Sequence, residues 1–337
     1  MDPLSQGPAP VFLLFAALVV DAVLTGVPGL LDLLRRPTDG VRALTVWFDR
    51  HLNRERRGEV TRLVRGAFVV LFVVALAAAS GWLAQRATRA LPHGWILEIV
   101  LLMVWLGQGR LLRLTGSVAR ALERADVVAG ARAMQPLLNQ PADRDAGQWR
   151  GTDLHGVARA TIEAGMTRVN SWVVAPVFWY AVLGLPGLFV YRAVNVMDGC
   201  IGHKTRRHAS FGLVAARLDD ALGAIPARLV APMIVIAAAL TPTARPRRAW
   251  RTMWRDAGRH RSFNAGWPMA AAAGALDLAL AGPRKDGAGR SGAREPWIGD
   301  GRARVQVQDL RRARFLIFVT LLVNAAMVAG AALLLSS

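Results

Sequence analysis

The chain has 337 residues, 53% of them hydrophobic, and a formal net charge of +19. Its apolar residues are gathered in long blocks, which excludes an ordinary soluble enzyme and points to membrane-spanning helices. Only 2 Tyr are present, and short alternating strands with regular turn signals are missing, so a β-barrel is excluded too.

The first apolar block, 11–34, is long enough to span and is interrupted by Asp21 and by a Gly-Val-Pro-Gly kink. No Lys or Arg precedes it, so it reads as an uncleaved span and not as a signal peptide. A charge facing lipid is expensive, so Asp21 is either a functional group or a carboxylate hydrogen-bonded near the interface. The Arg-rich loop 35–65 is cytoplasmic by the positive-inside rule. Further spans follow at 66–84 and 95–109.

Segment 110–168 is polar with a helical period. Val118, Leu122, Ala125 and Val128 mark an amphipathic helix, "NQPADRDAGQWRGTD" interrupts it, and a second helix begins near Leu154. The block 171–198 has Leu185-Pro186-Gly187 at its middle. Cations beyond it argue for a broken segment that turns back instead of a straight crossing. The block 226–241 is short for a span and reads as re-entrant. Loop 242–314 is strongly basic, and 315–335 forms the last span. The fold class is therefore all-α: one polytopic membrane domain over 1–337, with four full spans, one or two broken apolar segments and amphipathic helices. Loops 35–65, 110–168 and 242–314 share the cytoplasmic side of a bacterial inner membrane.

The excess of cations is read as a surface for anionic lipid and anionic substrates, because no basic patch is interleaved with aromatics as in a nucleic-acid binder. Cys200 is alone, so there is no disulfide framework and no Cys-based metal site. Walker, HExxH and GxSxG signatures are missing. "GPRKDGAGRSGAR", 282–294, has the glycines and cations of a phosphate cradle and equally those of a flexible loop.

Four polar patches remain at apolar boundaries. "YRAVNVMDG" places Arg192, Asn195 and Asp198 at spacings of three, on one helical face. "ARLDDALGAIPARL" carries Arg217, Asp219 and Asp220. "FNAGWP" sets Asn264 and Trp267 beside Gly266, which is free for positive φ. "REPWIGDG" holds Trp297 and sets Asp300 between two glycines.

Together these patches resemble the CobD/CbiB family of cobalamin biosynthesis. The matching stretches are "APVFW" at 175–179, "YRAVNVMD" at 191–198, "ARLDD" at 216–220, "IPARL" at 225–229, "NAGWP" at 264–268, "AGAL" at 273–276 and "PWIGDG" at 296–301. Their order matches as well. The resemblance implies a membrane enzyme that joins cobyric acid to aminopropanol, or its phosphate, through an amide, with ATP activating the carboxylate. It implies Asp198, Asp219, Asp220 and Asp300 as catalytic and Mg²⁺-coordinating candidates. Arg192, Asn195, Lys204, Arg207, Arg217, Asn264, Gly266, Trp267 and Trp297 are the implied substrate-binding residues. A corrinoid, the amino alcohol, membrane lipid and other cobalamin-pathway proteins are the implied partners.

The chain also departs from the family pattern. Met166-Thr167-Arg168 and Ser171-Trp172 stand where the family has Ala-Glu-Asn and Asp-Gly, and Thr205-Arg206-Arg207 stands for Asn-Glu-Arg. Met269 replaces a Glu, Gly26-Val27-Pro28 replaces Gly-Asp-Pro, and no His-Pro-Val follows. Around "RVNSWVVAPVFW" the chain looks more like the paralogue AmpE. A catalytically degenerate CobD/AmpE-like protein with a sensing or scaffolding role is therefore the alternative, and a transporter built around Asp21 is a third reading.

Overall fold

The computed structural model describes residues 9–24, 36–138, 153–203, 205–283 and 295–334. In chain order the helices are α1 (Pro10–Leu24), α2 (Arg36–Leu52), α3 (Glu59–Ala90), α4 (Gly94–Trp105), α5 (Gln108–Glu123), α6 (Val127–Leu138) and α7 (Leu154–Val169). A π-helical turn at Asn170–Val174 leads into α8 (Ala175–Ile201), followed by α9 (Leu213–Ala239), α10 (Pro246–Asp256), α11 (Gly266–Leu276) and α12 (Val307–Leu334). The described strands are two antiparallel pieces of two residues, β1 (Leu280–Ala281) and β2 (Trp297–Ile298). The chain is a polytopic all-α membrane protein. It divides into two compact units: Met1–Gly107, Ala175–Leu222 and Ala325–Ser337 form the first, Gln108–Val174 and Gly223–Asn324 the second.

Five helical stretches, not four, are long and apolar enough to cross a membrane: Glu59–Ala90, Gly94–Glu123, Leu154–Ile201, Leu213–Ala239 and Val307–Leu334. Against the four expected spans, Leu154–Ile201 and Leu213–Ala239 are additional, while the described part of 11–34, α1, is a shorter apolar helix of 15 residues. The block 226–241 is not a short re-entrant piece. It is the second half of α9, a 27-residue helix that runs through Pro226 and Pro232. Arg217, Asp219, Asp220 and Arg228 disguise its full length in the sequence. Asp219 is drawn into the helix by a side-chain partner on α8.

The break in 171–198 is real, and its origin is Gly184, just before Leu185-Pro186-Gly187. Gly184 has φ 67° and ψ −153°, outside what an L side chain adopts readily. In a straight helix residues 179 and 187 would lie roughly 12 Å apart along the axis. Instead a Cβ on Gly187 would come within 2.5 Å of the Trp179 carbonyl oxygen, so the two halves fold back on each other.

In the first unit α8 packs on α3 and α2, and α1 packs on α4. Asp21 is fully buried on α1 (0% exposed), away from lipid. In the second unit α5, α6 and α7 pack together, and α10 packs on α11. Asp153, accepting from the Gly156 N–H at 2.8 Å, caps α7 at the start expected from sequence.

Candidate active site

In the first unit the second half of α8 presents Arg192, Asn195 and Asp198, as their spacing predicts. Arg192 and Asn195 are buried and Asp198 is half-buried at the end of the helix. The Asn195 Nδ2 donates to Asp219 Oδ1 at 3.0 Å, which ties the α8 patch to the α9 patch. Asp219 and Asp220 are both half-buried, and Arg217 on the same helix is exposed. The Trp179 indole N–H donates to the Leu222 carbonyl at 2.9 Å and closes α9 against the first half of α8.

Arg207 is engaged elsewhere in this unit. Its guanidinium pairs with Asp49 Oδ2 at 2.9 Å, and His208 Nε2 lies 3.2 Å from Asp49 Oδ1. Asn53 Nδ2 donates to Asp49 at 2.7 Å and to the Arg207 carbonyl at 2.9 Å. Arg62 Nε donates to Asn53 Oδ1 at 2.8 Å, and its NH2 reaches the carbonyls of Arg206 and Arg207. Burial alone would raise the Asp49 carboxyl. Hydrogen bonds from His208 and Asn53 and the charges of His208 and Arg207 outweigh it, holding the group below the ordinary carboxylate range. Lys204 lies outside the described residues, as does 284–294, most of the stretch that resembles a phosphate cradle.

The second unit contains the other two patches, and α10 joins them. Pro246 opens α10, where its missing N–H costs nothing. Ala249, Thr252, Met253 and Asp256 recur at helical spacing as the buried face. From its last turn Trp254 meets Trp267 of NAGWP edge-on at 5.5 Å. The next two residues hold PWIGDG. Asp256 Oδ2 accepts from the Gly299 N–H at 2.9 Å, and Arg255 pairs with Asp256 at 2.8 Å and with Asp300 at 3.1 Å.

These two carboxylates differ in kind. Asp256 has a side chain 1% exposed, whereas that of Asp300 is 70% exposed. Burial pushes Asp256 upward. Hydrogen bonds from Arg255 and Gly299, and the charges of Arg255 and Arg259, more than offset this and hold it below the usual range. For Asp300 the Arg255 hydrogen bond is the main cause of a lowered value. Gly299 turns the loop with φ 83°, and a Cβ there would lie 2.4 Å from the Leu278 carbonyl oxygen.

Asn264 is buried, with its amide against α9: a Cβ on Gly223 would sit 2.6 Å from Asn264 Nδ2. Trp267 and Phe263 share one cation, the Arg228 guanidinium, 5.0 Å and 4.3 Å above their rings. Trp297 on β2 lies under Arg159 at 5.2 Å. Gly266 does not take positive φ. It opens α11 with helical backbone, and glycine is required because a Cβ would approach the Ala257 carbonyl oxygen to 2.1 Å.

Three side chains matter that the sequence reading passed over. Asp256 anchors PWIGDG, and only its position on an amphipathic helix before NAGWP hints at that. Glu98, 8% exposed in an apolar helix, accepts from Tyr180 at 2.8 Å and from Thr88 at 3.2 Å. A lone Glu in "WILEIVLL" is itself a signal. Asn170, 6% exposed on the π turn, points its amide toward Gly223, and its buried Oδ1 has no hydrogen-bond partner among the described residues. Such turns recur at functional sites.

Of the sequence-derived carboxylates, Asp198, Asp219 and Asp220 belong to the first unit and Asp300 to the second. Among the described residues no three His, Cys, Asp or Glu side chains gather to hold a metal ion.

Comparison with known proteins gives one answer along most of the chain. The family model described as CobD/Cbib protein matches residues 14–317. A cobalamin biosynthesis protein CobD from a Sinorhizobium species is 37% identical over 302 residues, covering 88% of this chain and 90% of its own. The protein of that name from Brucella suis biovar 1 is 34% identical over 323 residues (94% and 95%). Another, from Rhodobacter capsulatus, is 34% identical over 289 residues (85% and 86%). No solved structure matches. The order of the motifs, the two loops built around α10 and the length of the match lead to one conclusion: the chain belongs to the CobD/CbiB family.

Proposed function

We propose that this protein is the amide-forming ligase of late corrin assembly, attaching aminopropanol or its phosphate to cobyric acid. Its place is cobalamin biosynthesis. The bond made joins the corrinoid carboxylate carbon to the amine nitrogen. A carboxylate oxygen is a poor leaving group, so phosphoryl transfer from ATP is the activation we assign. The observation that carries this reading is that Trp254, Arg255 and Asp256, consecutive on α10, fix NAGWP and PWIGDG together. Those are the two most specific stretches of the resemblance, and here they are built as held loops with exposed edges.

Mg²⁺ takes one or two carboxylates and fills its shell with water and substrate phosphates. Asp219, oriented by the Asn195 amide, fits that sparse donor set, and Asp220 is a second candidate about 100° further round the same helix. Once bound, the ion would neutralise charge on the phosphoryl oxygens. Asp198 and Asp300 remain candidates on the same grounds. Arg192, Arg217 and Arg228 supply positive charge for anionic groups, and Asn264 supplies amide hydrogen bonds. Trp267 and Trp297 supply apolar faces. The cationic loops support an active face on the cytoplasmic side of a bacterial inner membrane. Close relatives of matching length do not favour the degenerate-paralogue reading.

Complementation tests this. A bacterium lacking its own cobinamide-phosphate synthase, supplied with cobyric acid, should grow with the wild-type chain and fail with Asp219→Ala. No growth with wild type that accumulates in the membrane would overturn the ligase.

A further inference from the structure

Helix α10 has a second face, of which the active-site reading uses Trp254 alone. Arg247, Trp250, Arg251 and Trp254 stand at i, i+3, i+4 and i+7, so they form one stripe along the helix. All four are exposed, with Trp250 at 48% and Trp254 at 60%. The opposite face, Ala249, Thr252, Met253 and Asp256, is buried within the second unit. The neighbouring cations are engaged: Arg245 and Arg248 pair with Asp277, and Arg255 with Asp256 and Asp300. Arg247 and Arg251 have no ion pair or hydrogen bond among the described residues.

We propose that this stripe is an interfacial binding surface for anionic phospholipid headgroups. Two observations select that occupant. First, only six residues separate α10 from α9, a helix long and apolar enough to cross the bilayer, so α10 starts near the membrane surface. Second, the stripe alternates arginine with tryptophan, an interleaved basic patch that the sequence reading missed. Free guanidinium groups match lipid phosphates, and indoles prefer the headgroup level with their polar edge wet. A purely acyl-facing helix would show Leu or Ile on that face, and a solvated one would lack the exposed tryptophans. The consequence is positional. The helix that fixes both motif loops is itself seated on the membrane surface, so the loops are held at headgroup depth.

The test uses the full-length protein in nanodiscs. Phosphatidylcholine discs are compared with discs containing increasing phosphatidylglycerol, for wild type and for the Arg247→Gln/Arg251→Gln double variant. Phosphatidylglycerol should raise the melting temperature of the wild type. The double variant should need roughly 30-fold more of it for half that rise, since each arginine near an anionic surface is worth about one kcal/mol. Brominated phospholipid should quench part of the wild-type tryptophan emission. That part should be missing in Trp250→Phe/Trp254→Phe, which keeps its aromatic packing and serves if the arginine variant accumulates poorly.

Quenching that is unchanged by the Phe variant would place the stripe in water and overturn the proposal. So would an equal lipid response in both proteins. A melting shift produced by ATP or inorganic phosphate through Arg247 and Arg251, with phosphatidylglycerol inert, would assign the stripe to a soluble anion and overturn it too.

Discussion

Two polar regions of this molecule are made from the same residue types and end up opposite in character. Around the 202–212 loop, Asp49 takes Asn53, Arg207 and His208, while Arg62 satisfies Asn53 and two backbone carbonyls. The Asp49 and Asn53 oxygens are spent within that group, and what is left over there is nitrogen, Arg207 Nε and His208 Nε2, buried without a hydrogen-bond partner among the described residues. Around NAGWP and PWIGDG, Asp256 is buried as an anchor, yet Asp300 is 70% exposed and the Asn170 Oδ1 has no partner among the described residues. The difference separates two uses of polarity. A closed network holds a loop in place, and a network with capacity to spare is where a ligand completes the hydrogen bonding.

The largest effect should follow removal of the anchor between the two. Asp256→Ala leaves the Gly299 N–H and two arginines without their carboxylate, and should lower cobinamide-forming activity roughly 100-fold, equivalent to ~2.7 kcal/mol in the barrier. Activity near wild type would show that PWIGDG needs no anchor and would erase the contrast with Asp300.

Next is Asn170→Leu. Replacing a buried acceptor without a partner should leave the melting temperature unchanged or raised. Cobyric acid should bind about tenfold more weakly, or ~1.4 kcal/mol. A lower melting temperature with unchanged affinity would move Asn170 to the closed kind of network.

Asp49→Asn tests the closed network itself. Its folded-state pKa is depressed, so the contribution is fully present above the unfolded-state value near pH ~4 and is lost as pH falls through the lower folded-state value. The variant should be less stable by about 1 kcal/mol at pH 7, and the gap should close below pH ~4 in thermal unfolding. Turnover by the folded variant should stay close to wild type. The smallest stability change belongs to Asp300→Asn, within about 0.5 kcal/mol, because a pair this exposed is screened. Its activity should still fall if the carboxylate meets the substrate.

Much of the fold could be read from the sequence because span length and helical period are local properties. The residues 66–84 lie inside α3 and 315–334 inside α12, and Leu154 begins α7. Misreading came where polar residues enter a long helix. Asp219 and Asp220 made α9 look short, since the sequence does not reveal that Asn195 receives Asp219. The candidate site was legible as motifs but not as a construction. Asn264, Trp267 and Asp300 could be named from their stretches. Asp256 could not, because an acid at the end of an Arg-rich helix acquires its role only when Gly299 folds back upon it. Asn170 was hidden for a similar reason: an amide becomes conspicuous only once burial removes its water.

The most direct measurement is product formation by the full-length protein in nanodiscs supplied with cobyric acid, ATP, Mg²⁺ and either aminopropanol or its phosphate, followed by mass spectrometry. The ligase account predicts a corrinoid heavier by the amine less one water, formed as ATP is consumed and lost in Asp219→Ala. Folded wild-type protein that binds cobyric acid and returns it unmodified with both amines would contradict it.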